Sequence, residues 1–189
     1  MTTLVLTKEK GFSSVIVRDI SLVLLGTFIL ALCARVAIFL PISPVPISLQ
    51  NFGVILMGIL LGSRRGACCI AAYLMEGAIG LPVFGGGQFS VAVLIGTRGG
   101  YLFSFVFAAY LAGRMFEKPS SYVMSILKLS SIFALILILG ASWLSLYVGA
   151  SNAIFMGVLP FIIGDFIKVL AITSALPALL RFSRKYLCL

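Results

Sequence analysis

The chain has 189 residues, is 61% hydrophobic and only 10% charged, and has a mean hydropathy of +1.21. Water-soluble domains carry about 25% charged residues, so this composition excludes a soluble globular domain. A formal net charge of +9 would point to nucleic acid in a soluble chain; here basic loops beside membrane spans, which orient those spans, account for it without any nucleic-acid partner.

Residues 1–18 are mostly polar and read as a cytoplasmic N-terminal segment. No cleavable signal is expected, because the first apolar run is long enough to span and lacks a small-residue cleavage signature. That run predicts a first span over residues 19–40, stopped by Pro41. Pro44 and Pro46 follow, and three prolines so close together forbid a helix there. Ser48 offers an N-cap for a short second helix over 49–61. A basic turn over 62–66, holding Arg64 and Arg65, leads into a third helix over 67–79. Residues 80–100 are glycine-rich and predict a long irregular connection. A fourth span over 101–115, a charged turn over 114–118, a fifth span over 124–148 and a sixth over 153–180 complete the pattern. The expectation is one six-helix membrane domain over 19–181 and a cytoplasmic tail over 182–189.

Charge supports that order. Lys8, Lys10, Arg18, Arg64, Arg65, Arg114, Lys118, Arg181, Arg184 and Lys185 fall at the N-terminus, the second and fourth connections, or the C-terminus. They share one side only if the number of spans is even, and the positive-inside rule makes that side cytoplasmic. The opposite connections carry a single charge, Arg98. Helices two and three are short for a full crossing at about 1.5 Å per residue, so the outer loops should dip inward. Irregular backbone at that depth is tolerated only where it lines a cavity or is buried in protein. The fold class read from these signals is an all-α polytopic membrane protein with both termini cytoplasmic. It holds an outward-facing pocket roofed by the proline-rich and glycine-rich loops.

Asp165 and Lys168 stand inside the sixth apolar segment, one helical turn apart on one face. A carboxylate and an ammonium at bilayer depth cost several kcal/mol unless they pair or face a cavity. Two readings stand open. The pair satisfies itself, or Asp165 accepts N–H donors while Lys168 donates to an oxygen, which suits a solute with a urea- or amide-like head. Glu76 lies near mid-membrane in the third helix and is expected to pair with Arg35 or Lys168, or to titrate in ion coupling. Arg35 snorkels from the end of the first helix or joins such a pair. Arg98 meets an anionic solute or is an exposed charge, and Tyr73 lines the pocket or packs. Phe84 and Phe89 bracket Gly85, Gly86 and Gly87; aromatic residues on a mobile loop would close over an apolar ring, the bland reading being a lipid-facing loop.

No phosphate-cradling G-x-x-x-x-G-K-[ST] run and no close carboxylate pair occurs, so neither nucleotide binding of that kind nor acid–base catalysis is expected. With four cysteines and no histidine, the usual zinc sites are disfavoured. Cys33, Cys68, Cys69 and Cys188 read as packing residues. No enzyme activity, metal or cofactor is expected.

Several segments together resemble the BioY family, the biotin-specific S components of energy-coupling factor (ECF) transporters. They are Val45-Pro-Ile-Ser-Leu-Gln50, Leu61-Gly62 with Arg65-Gly66, Tyr73-Leu74 with Gly77-Ala-Ile-Gly-Leu-Pro-Val-Phe84, Gly99-Gly-Tyr-Leu102, and Pro160-Phe161 with Gly164-Asp165 and Lys168. The resemblance runs from about residue 20 to residue 175. It implies a six-helix protein of the cell (inner) membrane that binds biotin near its outer face. It further implies partnership, in the lipid bilayer, with a transmembrane T subunit and two cytosolic ATPases that drive biotin uptake. Asp165 and Lys168 correspond to substrate-binding positions of the family, and Gln50, Tyr73 and Phe84 to other recurring ones. The Ala-x-x-x-Ala docking surface usual on the first helix is replaced by the looser pairs Thr27/Ala31 and Cys33/Ala37. A stand-alone ion-coupled transporter of biotin or a related vitamin, with Glu76 as its coupling carboxylate, is the alternative. An intramembrane enzyme is disfavoured by the missing histidine and carboxylate pair.

Overall fold

A computed structural model describes residues 2–118 and 120–186; Cys188 and the end of the C-terminal tail lie outside them. Helix α1 spans Thr2–Arg35, so residues 1–18 are not set off from the first span by any break in the described backbone. The first span also ends earlier than residue 40. Strand β1 (Ala37–Ile38) pairs antiparallel with β2 (Ile47–Ser48), in the register Ala37↔Ser48 and Ile38↔Ile47. Leu49 N donates to Val36 O at 3.1 Å. The prolines turn the chain back on itself, and the returning strand gives residues 36–38 hydrogen-bond partners that a helix would otherwise supply.

Helix α2 spans Gln50–Leu61 and α3 spans Ser63–Ala78. Ser48 Oγ accepts from Gln50 N at 3.3 Å, satisfying one of the free donors at the start of α2. The expected basic turn over 62–66 reduces to Gly62 alone, at φ 80°, a conformation glycine adopts without steric cost. Ser63 to Gly66 are already helical. The two helices then run in near contact, since a Cβ on Gly66 would lie 2.8 Å from Gly58 Cα.

The connection over 80–100 is not wholly irregular. It contains a 3-10 turn, Gly85–Gly87, and a short helix, α4 (Val91–Ile95). Ser90 starts α4, its Oγ accepting from Ala92 N at 3.0 Å. Helix α5 (Gly99–Met115) is the centre of the molecule, packing against α2, α3 and α6 (Tyr122–Val148). Small residues permit this: a Cβ on Gly58 would meet the Ala109 backbone, so α2 and α5 touch main chain to main chain.

The sixth segment is broken. Helix α7 (Ala150–Gly157) and α8 (Leu159–Tyr186) meet at Val158, because Pro160 has no N–H to donate four residues back. Met156 O, freed by that proline, accepts instead from Ser43 Oγ at 2.8 Å. Phe161 N bonds to Val158 O, and Gly157 O accepts from Tyr101 OH at 2.7 Å. The kink is thereby stitched to the proline loop and to α5.

Among the described residues, three helical stretches, Ile16–Arg35, Tyr122–Val148 and Ala150–Ser183, are long and apolar enough to cross a membrane. Leu24, Phe28, Leu146, Ile163 and Ile167 are exposed on them. Such an apolar outer face is a hazard in water and suits lipid.

Candidate ligand cavity

One cavity lies between the proline loop, the glycine turn and helices α2, α5, α6 and α8, with about 560 Å³ of empty space counting its open mouth. Pro46 and Phe84 stand at its roof, Gln50 and Asn51 come from the first turn of α2, and Tyr101 and Phe161 line it from α5 and α8. Apolar walls with a few converging polar groups are the usual make-up of a small-molecule site.

The polar cluster forms where α2 meets α8. Lys168 Nζ donates to Asp165 Oδ1 at 3.0 Å across one helical turn. Asn51 lies between them: its Nδ2 donates to Asp165 Oδ1 at 2.9 Å, and its Oδ1 accepts from Lys168 Nζ at 2.8 Å. Asp165 and Lys168 are 4% and 7% exposed and are joined to the cavity wall through Asn51. Asp165 Oδ2 is buried without a partner among the described residues. A buried carboxylate oxygen left unmade costs about 1–3 kcal/mol or more. The cluster therefore carries unused acceptor capacity beside two donors.

Gln50 and Tyr73 work as a pair. Gln50 Nε2 donates to Tyr73 OH at 3.0 Å, and Tyr73 OH donates to Val83 O at 2.6 Å. Tyr73 is fully buried, is not on the wall, and meets Phe84 edge-on at 5.6 Å between ring centres. It positions Gln50 and Phe84, which do line the cavity. Gly77 makes room for that arrangement, since a Cβ there would overlap the Phe84 ring.

Arg98 reaches the wall from the start of α5. Its Nε donates to Pro44 O at 2.9 Å, its Nη1 donates to Gln88 Oε1, and its guanidinium lies over the Phe39 ring at 5.7 Å. Burial pulls its pKa down from the ordinary arginine value, which still leaves it charged near neutrality. Phe89, by contrast, is 52% exposed and the structure does not bring it to the wall. Glu76 accepts from Thr27 Oγ1 at 2.9 Å and, among the described residues, forms no ion pair with Arg35 or Lys168. Those cations find other partners, Pro82 O for Arg35 and the α8 cluster for Lys168.

Asn51 is the residue that sequence reasoning passes over. The available signal was an amide in the first turn of a short apolar helix, next to Gln50.

Fold and site together define a multi-pass, helical membrane protein built around a partly roofed cavity with apolar walls and a few converging polar groups. A family model described as the BioY family matches residues 2–185, and the chain belongs to that family. It is 36% identical over 151 residues to the probable biotin transporter BioY of Pyrococcus horikoshii, covering 80% of this chain and 89% of that one. The biotin transporter BioY of Thermotoga maritima is also 36% identical, over 155 residues covering 82% and 90% of the two chains. A crystal structure of the S-component for biotin from an ECF-type ABC transporter superposes with a TM-score of 0.78 at 28% identity. That match covers 89% of this chain and 92% of the other.

Proposed function

We propose that this chain is the biotin-binding membrane subunit of an ECF-type importer and mediates biotin uptake. The observation that carries the reading is the Asn51–Asp165–Lys168 cluster, with an unused carboxylate oxygen and uncommitted N–H groups beside an apolar cavity. The ureido ring of biotin offers two N–H donors and one carbonyl acceptor, which complements that set. Phe84, Tyr101 and Phe161 offer apolar surface to the bicyclic ring and its chain, and Arg98 at the mouth meets the carboxylate. Gln50 holds the roof in register through Tyr73. No catalytic step is assigned to any of these residues.

The six spans are α1, α2, α3, α5, α6 and the α7–α8 pair, forming a domain over 19–181. Both termini are cytoplasmic and the cavity opens outward. Trp143 Nε1 donates to Gly96 O at 2.9 Å, and Tyr147 OH donates to Ile95 O. Trp and Tyr favour membrane–water interfaces, which supports setting the α4–α5 loop at the outer surface. Partnership with a transmembrane T subunit and two cytosolic ATPases is supported by the likeness to an ECF S-component. Glu76 bonds to Thr27 and is absent from the cavity wall, which lends no support to the ion-coupled alternative.

Calorimetric titration of the purified chain with biotin tests the proposal. One tight site per chain is expected. No heat and no thermal shift with biotin, together with a response to another vitamin, would overturn the substrate.

A further inference from the structure

We infer that Asn51 is a specificity-determining residue, one that presents a hydrogen-bond donor and no acceptor to the polar head of the solute. The inference rests on the function proposed above and names the group that reads the solute's carbonyl oxygen.

A carboxamide can face a site with either end, so its neighbours must decide. Here they decide three times over. Lys168 Nζ can only donate, and it meets Asn51 Oδ1 at 2.8 Å. The Phe52 backbone N–H can only donate, and it meets the same oxygen at 3.0 Å. Asp165 Oδ1 accepts from Asn51 Nδ2 at 2.9 Å. Flipping the amide would set its NH₂ against an ammonium and a backbone N–H, and its oxygen against a carboxylate. The orientation is locked.

Capacity then follows by counting. Asn51 Oδ1 has both lone pairs engaged, by Lys168 and Phe52. Nδ2 has two hydrogens and one is engaged, by Asp165. The remaining N–H is the amide's only unused group, and of the three cluster members only Asn51 lines the cavity. The complementary solute atom at that point is an oxygen that accepts. Asp165 Oδ2, unpartnered in the same cluster but off the cavity wall, is the acceptor left for the neighbouring N–H of a solute that enters past Asn51. A donor beside an acceptor matches the O=C–N–H edge of a cyclic urea, with the donor supplied by Asn51.

Affinity should therefore discriminate biotin from 2-iminobiotin, whose ring carries a protonated imino group in place of the carbonyl oxygen at neutral pH. That group donates, so it meets Asn51 donor against donor. Purified wild type should prefer biotin. Asn51→Leu, with the same number and branching of side-chain heavy atoms, should weaken biotin roughly ten-fold, as expected for one lost hydrogen bond to a neutral acceptor. It should weaken 2-iminobiotin less, so the preference ratio falls. Asn51→Ala removes the same donor and serves if Asn51→Leu does not fold, judged by a single sharp thermal transition. A purely structural role for Asn51 would weaken both solutes alike; a wild-type ratio in a folded variant overturns the inference while biotin binding stands. A wild type that binds neither solute overturns the proposed function, and the inference with it.

Discussion

Arg35 Nη2 donates to Pro82 O at 2.9 Å, so the last turn of α1 grips the start of the cavity roof. The far end of the roof is held by Arg98 through Gln88. Between these anchors the Phe84 and Gln88 main chains close a single β-bridge, with Gly86 and Gly87 at positive φ. A short, glycine-hinged segment held by two guanidinium groups can be released from either side.

The Arg35 anchor is solvent-exposed, so its removal should affect roof motion more than global stability. Arg35→Ala is expected to unfold at nearly the wild-type temperature, since exposed polar contacts contribute little. Solute dissociation should quicken by roughly three- to ten-fold, the scale of one hydrogen bond. A radioligand chase measures it; an unchanged off-rate would show that Arg35 does not hold the roof.

The buried pair should reveal itself through the contrast of single and double variants. Lys168→Met leaves Asp165 as an uncompensated buried carboxylate, and breaking a buried pair costs about 3–5 kcal/mol. Replacing both partners, as Asp165→Leu with Lys168→Met, removes the charge problem and should recover much of that loss. The double variant should nevertheless fail to bind biotin. Thermal unfolding and calorimetry on the same preparations separate the two effects, and a double variant that still binds tightly would remove the cluster from the site.

Much of the fold was legible because proline, glycine and charge punctuate the apolar runs. The features that escaped depend on partners distant in sequence. The early end of α1 requires a strand that returns only after the proline turn. The α7–α8 break was signalled by Pro160, but what makes it tolerable is Ser43 and Tyr101 taking the freed carbonyls. Helix α4 is a single short turn started by Ser90, too brief to show a period. In the site, Asp165 and Lys168 were visible as a pair because three residues along a helix is a fixed geometry. Asn51 was not, since its contact to Asp165 spans 114 residues. Phe89 sat in a lid-like sequence, yet only Phe84 turns inward, where Gly77 leaves space for its ring.

Topology can be tested at the roof by cysteine labelling in a variant lacking the native cysteines. Gly86 is a poor site, because a Cβ there would collide with the Phe39 ring at a φ of 73°. Leu81, 47% exposed, is better. A membrane-impermeant thiol reagent should modify Leu81→Cys from outside the cell and Arg64→Cys only after the membrane is opened. The reverse pattern would invert the orientation and place the cavity on the cytoplasmic side.

Arg98 bears on how the two ends of the solute are told apart. Its Nε and Nη1 are committed to Pro44 and Gln88, while Nη2 has no partner among the described residues. A guanidinium N–H left free on a cavity wall is a natural partner for a carboxylate. Wild type should therefore bind biotin more tightly than biotin amide, by roughly ten- to a hundred-fold for one charge-assisted hydrogen bond. Arg98→Ala should erase that preference. Because the same substitution frees the roof from Gln88, the control is Gln88→Ala, which removes the roof contact and leaves the charge. Gln88→Ala should keep the preference for the acid even if both solutes bind more weakly. Should Arg98→Ala retain the full preference, the carboxylate is read elsewhere. Lys168, whose ammonium spends two of its three N–H groups on Asn51 and Asp165, is then the next group to substitute.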